Sequence, residues 1–413
     1  MKKLLSLALA LLLLAVMLPV TAMAAPTYPD GVDFENVSTV SYTHTYGGTT
    51  VKEGSAADHP AVIAYVVDAS GNVKYAADLS AAVLDGASVI YCKENANIAF
   101  VVAHIPATKG LTIYANRADF NNQDIGLGYE NRPNERGESN YAGDITLKIY
   151  DANNLYVWGY SPADGVTQTV IMENCHNEGT SSTNQTGRMF YISGKTGTIN
   201  VTLNNCSVKN CDSPVYMNTN GSLSVENCSF TNCAVPININ YKATGTRNDT
   251  IKDCEFINCG NTDDANLSGY SAPIRFVNSG NGSLDATIEN NTFTGTVGNN
   301  GDILLGDQRD GQSSFNVNAK IVTKQDVTVK SGNSENQSTF EVKANTSVKA
   351  NAVGKQPEVI RDNAPIIIYT PTGDTPKTDD QKNPTTGAND LVAVAVAAAA
   401  LALAGSAIIL RKD

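Results

Sequence analysis

Residues able to do chemistry are sparse in this chain, and they gather in a few places. Only four histidines occur, His44, His59, His104 and His176, and they stand far apart. Charged candidates concentrate between positions 261 and 310: the run Asn261-Thr262-Asp263-Asp264, then Arg275, then Asp307, Arg309 and Asp310. Carboxylates in such a cluster could hold a calcium ion, which takes several oxygen ligands. The same residue types also make up an ordinary solvated loop rim, where Asn, Thr and Asp are common turn formers.

Eight cysteines form the second concentration. A C-x4-C spacing occurs three times, at 206/211, 228/233 and 254/259. Disulfides, a zinc site and stacked core thiols all fit the count. Each pair flanks an apolar residue (Val208, Phe230, Phe256) and no histidine recurs beside it, so stacked thiols behaving as small hydrophobes are the preferred reading, with no metal.

The elements that must carry these residues follow from an internal repeat. Leu203-Asn204-Asn205-Cys206-Ser207-Val208-Lys209-Asn210-Cys211 recurs as Val225 to Cys233 and again as Ile251 to Cys259. Ile288-Glu289-Asn290-Asn291-Thr292-Phe293 keeps the apolar and Asn positions without the cysteines, and Met172-Glu173-Asn174-Cys175 is a partial first copy. Cys206, Cys228 and Cys254 lie 22 and 26 residues apart. After each copy comes a short strand with apolar residues at period two: Val215/Met217, Ile237/Ile239, Ile274/Phe276 and Ile303/Leu305. A unit this short cannot bury its apolar side alone, but stacked units can. Stacking places Leu203, Val225, Ile251 and Ile288 in one column, and Val208, Phe230, Phe256 and Phe293 in another. Asn205, Asn227, Asp253 and Asn290 then form a polar column at a bend.

With Val215 and Met217 inward, Tyr216 and Asn218 point outward, and so do Asn238, Asn240, Arg275 and, one unit earlier, Tyr191. The expected result is a flat strip of Tyr191, Tyr216, Asn238 and Arg275, able to stack against and hydrogen-bond an extended glycan. Ordinary outward sheet residues are the competing reading of the same positions.

Composition agrees with many short strands: one Trp (Trp158), with Asn, Thr, Ser and Gly abundant. Setting aside four basic and two acidic residues at the two ends leaves 25 basic and 39 acidic ones, a charge of −14. Such a surface repels phosphate backbones, which argues against nucleic acid as a partner.

The I-x-N-N-x-F pattern resembles right-handed parallel β-helices of the pectin-lyase type over about residues 170–329. The resemblance implies an all-β fold, a single-stranded right-handed parallel β-helix solenoid with a short N-terminal capping helix. Val73 to Gly86 reads as that helix, amphipathic and placed to cover the first edge. Ser88-Val89-Ile90-Tyr91, Gly110 to Tyr114 and Asp144 to Ile149 read as early strands, and a sandwich or propeller is the alternative closure. Many proteins of this type cleave acidic polysaccharides. Asn261-Thr262-Asp263 matches the N-T-D of polygalacturonases, but no G-H-G and no R-x-K accompany it. For a lyase of this type, calcium held by Asp263, Asp264, Asp307 and Asp310, with Arg275 or Arg309 as base, is what the resemblance implies.

Both ends carry addresses. Lys2-Lys3, the apolar run Leu4 to Val20 and the small residues through Ala25 read as a secretory signal peptide over residues 1–24, an uncleaved membrane anchor being the alternative. Leu391 to Leu410 is an uncharged apolar run followed by Arg411-Lys412-Asp413, long enough to span a bilayer with its basic end inside. Before it stands Asn383-Pro384-Thr385-Thr386-Gly387. This tail resembles the sorting signal of Gram-positive wall proteins, usually L-P-x-T-G, with Asn383 in place of Leu. The resemblance implies that a sortase thiolate attacks the Thr386 carbonyl, Gly387 leaves with the tail, and peptidoglycan takes the acyl group. A plain membrane anchor is the alternative; on the sorting reading the chain meets the membrane only through this tail, before sorting.

The expected organisation is a leading β-rich segment at 25–70, the β-helix at 71–369, a wall-spanning linker at 370–382 and the sorting signal at 383–413, with its membrane segment at 391–410. The expected role is a surface protein of a Gram-positive cell, binding host or dietary glycan or acting as an adhesin, with no cofactor. An anchored polysaccharide lyase or glycosidase (calcium then being possible) is the alternative, and a passive spacer the third reading.

Overall fold

The computed structural model describes residues 26–44, 50–59, 61–98, 102–104, 110–127, 144–160, 162–194, 196–262, 265–295, 298, 300–306, 316–332, 338–351 and 358–359. The expected signal peptide, linker and sorting tail, with Asn383, Pro384, Thr385, Thr386 and Gly387, lie outside these residues, as do Asp263, Asp264, Asp307, Arg309 and Asp310.

The fold is all-β, built of three sheets with 15, 10 and 5 strands, most of them parallel. From Thr167 to Leu305 the chain visits the large sheet, the small sheet and the middle-sized sheet in turn. Each circuit adds one strand beside its predecessor, an order compatible with a β-helix-like solenoid.

Alternation drives the long strands. Thr198–Asn204 buries Ile199, Val201 and Leu203 and turns Thr198, Asn200, Thr202 and Asn204 the other way. Its register with Asn220–Glu226 sets Val201 on Leu223 and Leu203 on Val225. A slip of one residue would exchange the two faces. The bend that ends each long strand needs left-handed backbone. Asp151, Asn174, Asn205, Asn227, Asp253 and Asn290 supply it, with φ between 50° and 58°. Asn and Asp tolerate this conformation better than other side chains do. Their amides also tie circuits together: Asn174 donates to Asp151 at 2.9 Å and Asn205 to Asn174 at 3.1 Å.

Past the bend, strands of three residues turn one side chain inward each, fully buried in all but the last, where Phe293 is half-buried. Phe230, Phe256 and Phe293 stack with ring centroids 5.3 and 5.1 Å apart. All eight cysteines are free and buried. Cys175, Cys206, Cys228 and Cys254 follow one another on successive circuits, and the backbone N–H groups of Cys175 and Cys206 each lie 3.4 Å from the next sulfur. Burial pushes the Cys92 thiol up to about 12 and raises Cys175 and Cys233 as well, so these thiols stay protonated and inert.

The first end differs from expectation. Val73–Ala76 is a strand, antiparallel to Ala64–Asp68, and the helix is confined to Leu79–Leu84. Asp78 caps it by accepting from Ala81 N–H, and all six of its residues are buried, so it has no solvent face. Pairing across the sheet overrides the local helical pattern in residues 73–76. The leading segment joins the same large sheet through Thr39–His44 and Thr50–Ser55. Antiparallel strands also close the far ends: Thr346–Asn351 and then Glu358–Val359 on the large sheet, and Ser338–Val342 on the middle one.

One buried ion pair breaks the apolar interior. Arg247 and Asp249 occupy inward positions, both side chains fully buried, with Nε 2.9 Å from Oδ2. Arg247 also donates to Thr219 O, and Asp249 accepts from Leu223 N–H. In register with Arg247 sits Gly221, at φ +118°, where a β-carbon would collide with the Ile199 backbone.

The bend column yields a direct test. Asn227→Ala keeps a β-carbon in left-handed backbone but removes the amide that makes it tolerable there, and should cost about 1–2 kcal/mol in urea unfolding, while Asn227→Gly should cost clearly less. Equal losses would contradict the assignment of this column to backbone conformation.

Candidate functional site

The middle sheet builds a cleft lined by aromatic side chains. Its register aligns Trp158 with Tyr191, Tyr191 with Tyr216, Tyr216 with Asn238, and Asn238 with Arg275. Period-two alternation turns all five away from the buried Val157, Phe190, Val215, Ile237 and Ile274. Tyr191 and Tyr216 stack with centroids 4.9 Å apart and planes 13° from parallel.

The strip is not open along its length. Asn238 and Arg275 are only 5% and 1% exposed. The connection between Glu255–Ile257 and Ile274–Asn278 is the cause. It carries a short helix, Ala265–Ser268, and lays Tyr270 over the Arg275 guanidinium at 4.6 Å from the ring centroid. Arg275 Nη1 donates to Asn238 Oδ1 at 2.7 Å, and Asn238 Nδ2 donates to Ser213 Oγ at 3.2 Å. Asn218 is buried too: its Oδ1 accepts from Gly194 N–H and its Nδ2 donates to Ser193 Oγ, so it holds a turn. Asn240, half-buried, accepts from Ser279 Oγ at 3.5 Å and lies beyond the cleft lining.

What remains accessible is a cleft of about 400 Å³ lined by Tyr156, Gln185, Arg188, Tyr191, Asp212, Ser213, Tyr216, Asn238, Leu267 and Tyr270. Arg188 grips Asp212 with two hydrogen bonds, Nε to Oδ1 at 3.1 Å and Nη2 to Oδ2 at 2.7 Å. Asp212 also accepts from the Ser213 N–H. Only 13% and 8% of the two side chains are exposed. The guanidinium lies 5.3 Å from the Tyr191 ring centroid. Burial pushes the Tyr156 phenol up to about 12, against the lowering field of Arg188, so it remains a hydrogen-bond donor.

Four tyrosines, amides, a hydroxyl and a neutralised charge pair suit sugar recognition, where a C–H face stacks on a ring and hydroxyls meet planar polar groups. Among the described lining residues Asp212 is the one carboxylate, whereas glycoside hydrolysis uses two. A larger concavity, about 720 Å³, lies on the large sheet between Asn248, Asp285, Asn318, Lys320 and Lys349, but among the described residues no aromatic side chain lines it. Among the described residues no three His, Cys, Asp or Glu side chains come together as metal ligands.

Sequence reasoning found the row Tyr191, Tyr216, Asn238, Arg275 and missed its neighbours. Trp158 was available by extending the register one circuit earlier. The step from Cys254 to Asn291 spans 37 residues rather than 22, a sign that this circuit carries an additional loop, and that loop brings Leu267 and Tyr270. Arg188 and Asp212 stand 24 residues apart, about one circuit, which is the only trace of their pairing. No known family, curated protein or solved structure matches the chain.

Removing one partner of this pair tests its weight. Arg188→Met leaves the Asp212 carboxylate mostly buried without its cation and should cost on the order of 3 kcal/mol. Arg188→Met with Asp212→Leu should unfold at higher urea than Arg188→Met alone. The reverse order would contradict the pairing.

Proposed function

We propose that this chain is an exported surface protein whose body is a right-handed parallel β-helix of the pectin-lyase type, and that its middle-sheet cleft binds glycan. The aromatic row closed by Tyr270 carries this reading: Tyr191, Tyr216 and Tyr270 beside Asn238 and the Arg188–Asp212 pair form a stacking and hydrogen-bonding surface. Support for the fold assignment comes from the successive parallel pairings of the large and middle sheets and from the I-x-N-N-x-F repeat. Support for export and wall anchoring comes from the sequence ends: an n-region with an apolar run at the start, and Asn383-Pro384-Thr385-Thr386-Gly387 before an apolar run and a basic stop at the finish. Sortase and peptidoglycan are then partners in display, and host or dietary polysaccharide is the ligand.

A second reading, an anchored lyase or glycosidase, draws on one observation. Asp263 and Asp264 belong to the same connection that places Leu267 and Tyr270 in the cleft.

The experiment takes the protein from wall digests of a Gram-positive host producing the full chain, with mass spectrometry reading its C-terminus. The protein is then applied to plant and host polysaccharides with and without calcium, following retention, reducing ends and the absorbance of unsaturated uronates. The expected outcome is a chain ending at Thr386, retained on one glycan class without product and weakened at least tenfold by Tyr216→Ala. Product release abolished by Asp264→Ala would make it an enzyme, and a chain found only in membranes would sink the sorting proposal.

A further inference from the structure

We infer that the middle-sheet cleft selects a neutral glycan, one without uronate or sulfate groups; this rests on the glycan-binding reading above. The charge accounting of the cleft points there. Two cations reach it among the described residues, Arg188 and Arg275, and both are engaged. Arg188 presents its fork to Asp212 through Nε and Nη2. Arg275 is 1% exposed, donates to Asn238 and lies under the Tyr270 ring. A uronate carboxylate approaching the other N–H groups of Arg188 would meet a guanidinium whose charge Asp212 already balances, and would sit beside that carboxylate. Arg275 offers no alternative without removal of Tyr270 from its face.

Long-range charge acts in the same direction. The displayed part of the chain carries −14, which opposes the approach of a polyanion. The remaining lining is matched to an uncharged sugar. Gln185 is an exposed neutral donor and acceptor, the buried Ser213 and Asn238 are neutral and bonded to each other, and Tyr156 keeps its proton. A pyranose or furanose hydroxyl both donates and accepts, so the neighbouring carboxylate and guanidinium of Asp212 and Arg188 serve it without net charge transfer. The sugar's C–H face packs on the tyrosine rings. Affinity then depends on stacking and hydrogen bonds, with little sensitivity to ionic strength.

The test uses the full chain in detergent on immobilised galactan, arabinan, xylan and mannan, beside polygalacturonate, alginate and chondroitin sulfate. Each is run at low and high salt, with and without calcium. The expected result is retention on a neutral polymer, changed less than twofold by salt and by calcium, and lost at least tenfold in Tyr216→Ala and in Asp212→Asn. Thermal unfolding of each variant checks that it is folded; should Asp212→Asn fail that check, Tyr216→Ala and Tyr270→Ala carry the test. Retention on the acidic polymers, falling with salt or requiring calcium, overturns the neutral selectivity and leaves the glycan reading standing. Retention on a neutral polymer that these folded variants leave unchanged overturns the cleft as its site. No retention on any polymer overturns both.

Discussion

Everything in this molecule depends on each circuit landing in register on the one before. Left-handed backbone at one bend enforces it. Asp151, Asn174, Asn205, Asn227, Asp253 and Asn290 adopt the same positive φ on consecutive circuits, and each does so where a long alternating strand must stop and turn. Because the bend recurs at a fixed place, the residues beyond it fall into columns: the phenylalanine stack, the thiol column, and the outward row of the cleft. A bend that slipped by one position would turn Ile199, Val201 and Leu203 to solvent and break all three columns together. Stability and site geometry therefore share one cause.

The same architecture explains how a site arises without disturbing the core. The circuit between Cys254 and Asn291 is the longest of the repeat, yet Phe256 and Phe293 still stack at 5.1 Å. The additional residues leave the stacked strands and fold back over the outer face of the middle sheet, where Tyr270 covers Arg275. Loops on a rigid scaffold are where binding surfaces commonly form. Covering part of the flat strip turns it into a cleft, and it also buries two polar side chains that an open strip would have left wet.

Much of this was legible in the sequence, for a physical reason: columns of like residues need like spacing. The repeat of Leu203, Val225, Ile251 and Ile288 fixed the inward positions, the Phe and Cys repeats fixed the next strand, and Asn marked the bend. What escaped was whatever a single unit does alone. Arg247 and Asp249 stand in Thr246-Arg247-Asn248-Asp249-Thr250, a run whose residue types read as solvent-facing, yet both take inward positions on the strand that buries Ile251. Residues 73–76 carry a helical pattern and are drawn into a strand by Ala64–Asp68. For the site, alternation predicted the direction of Asn238 and Arg275, but not the loop that covers them. The Arg188–Asp212 pair joins residues on neighbouring circuits at different strand positions, which no column pattern reveals.

The most direct measurement is a distance between two positions on the outward face of the large sheet. Thr146, Thr169, Asn200, Ser222, Asn248 and Asp285 succeed one another in register. Five strand spacings make about 24 Å. Spin labels on Thr146→Cys and Asp285→Cys, with the eight native thiols buried and unlabelled, should report a narrow distribution near that value. A broad distribution, or one centred well beyond 35 Å (several strand spacings more), would contradict in-register stacking, and the cleft built on it would go with it.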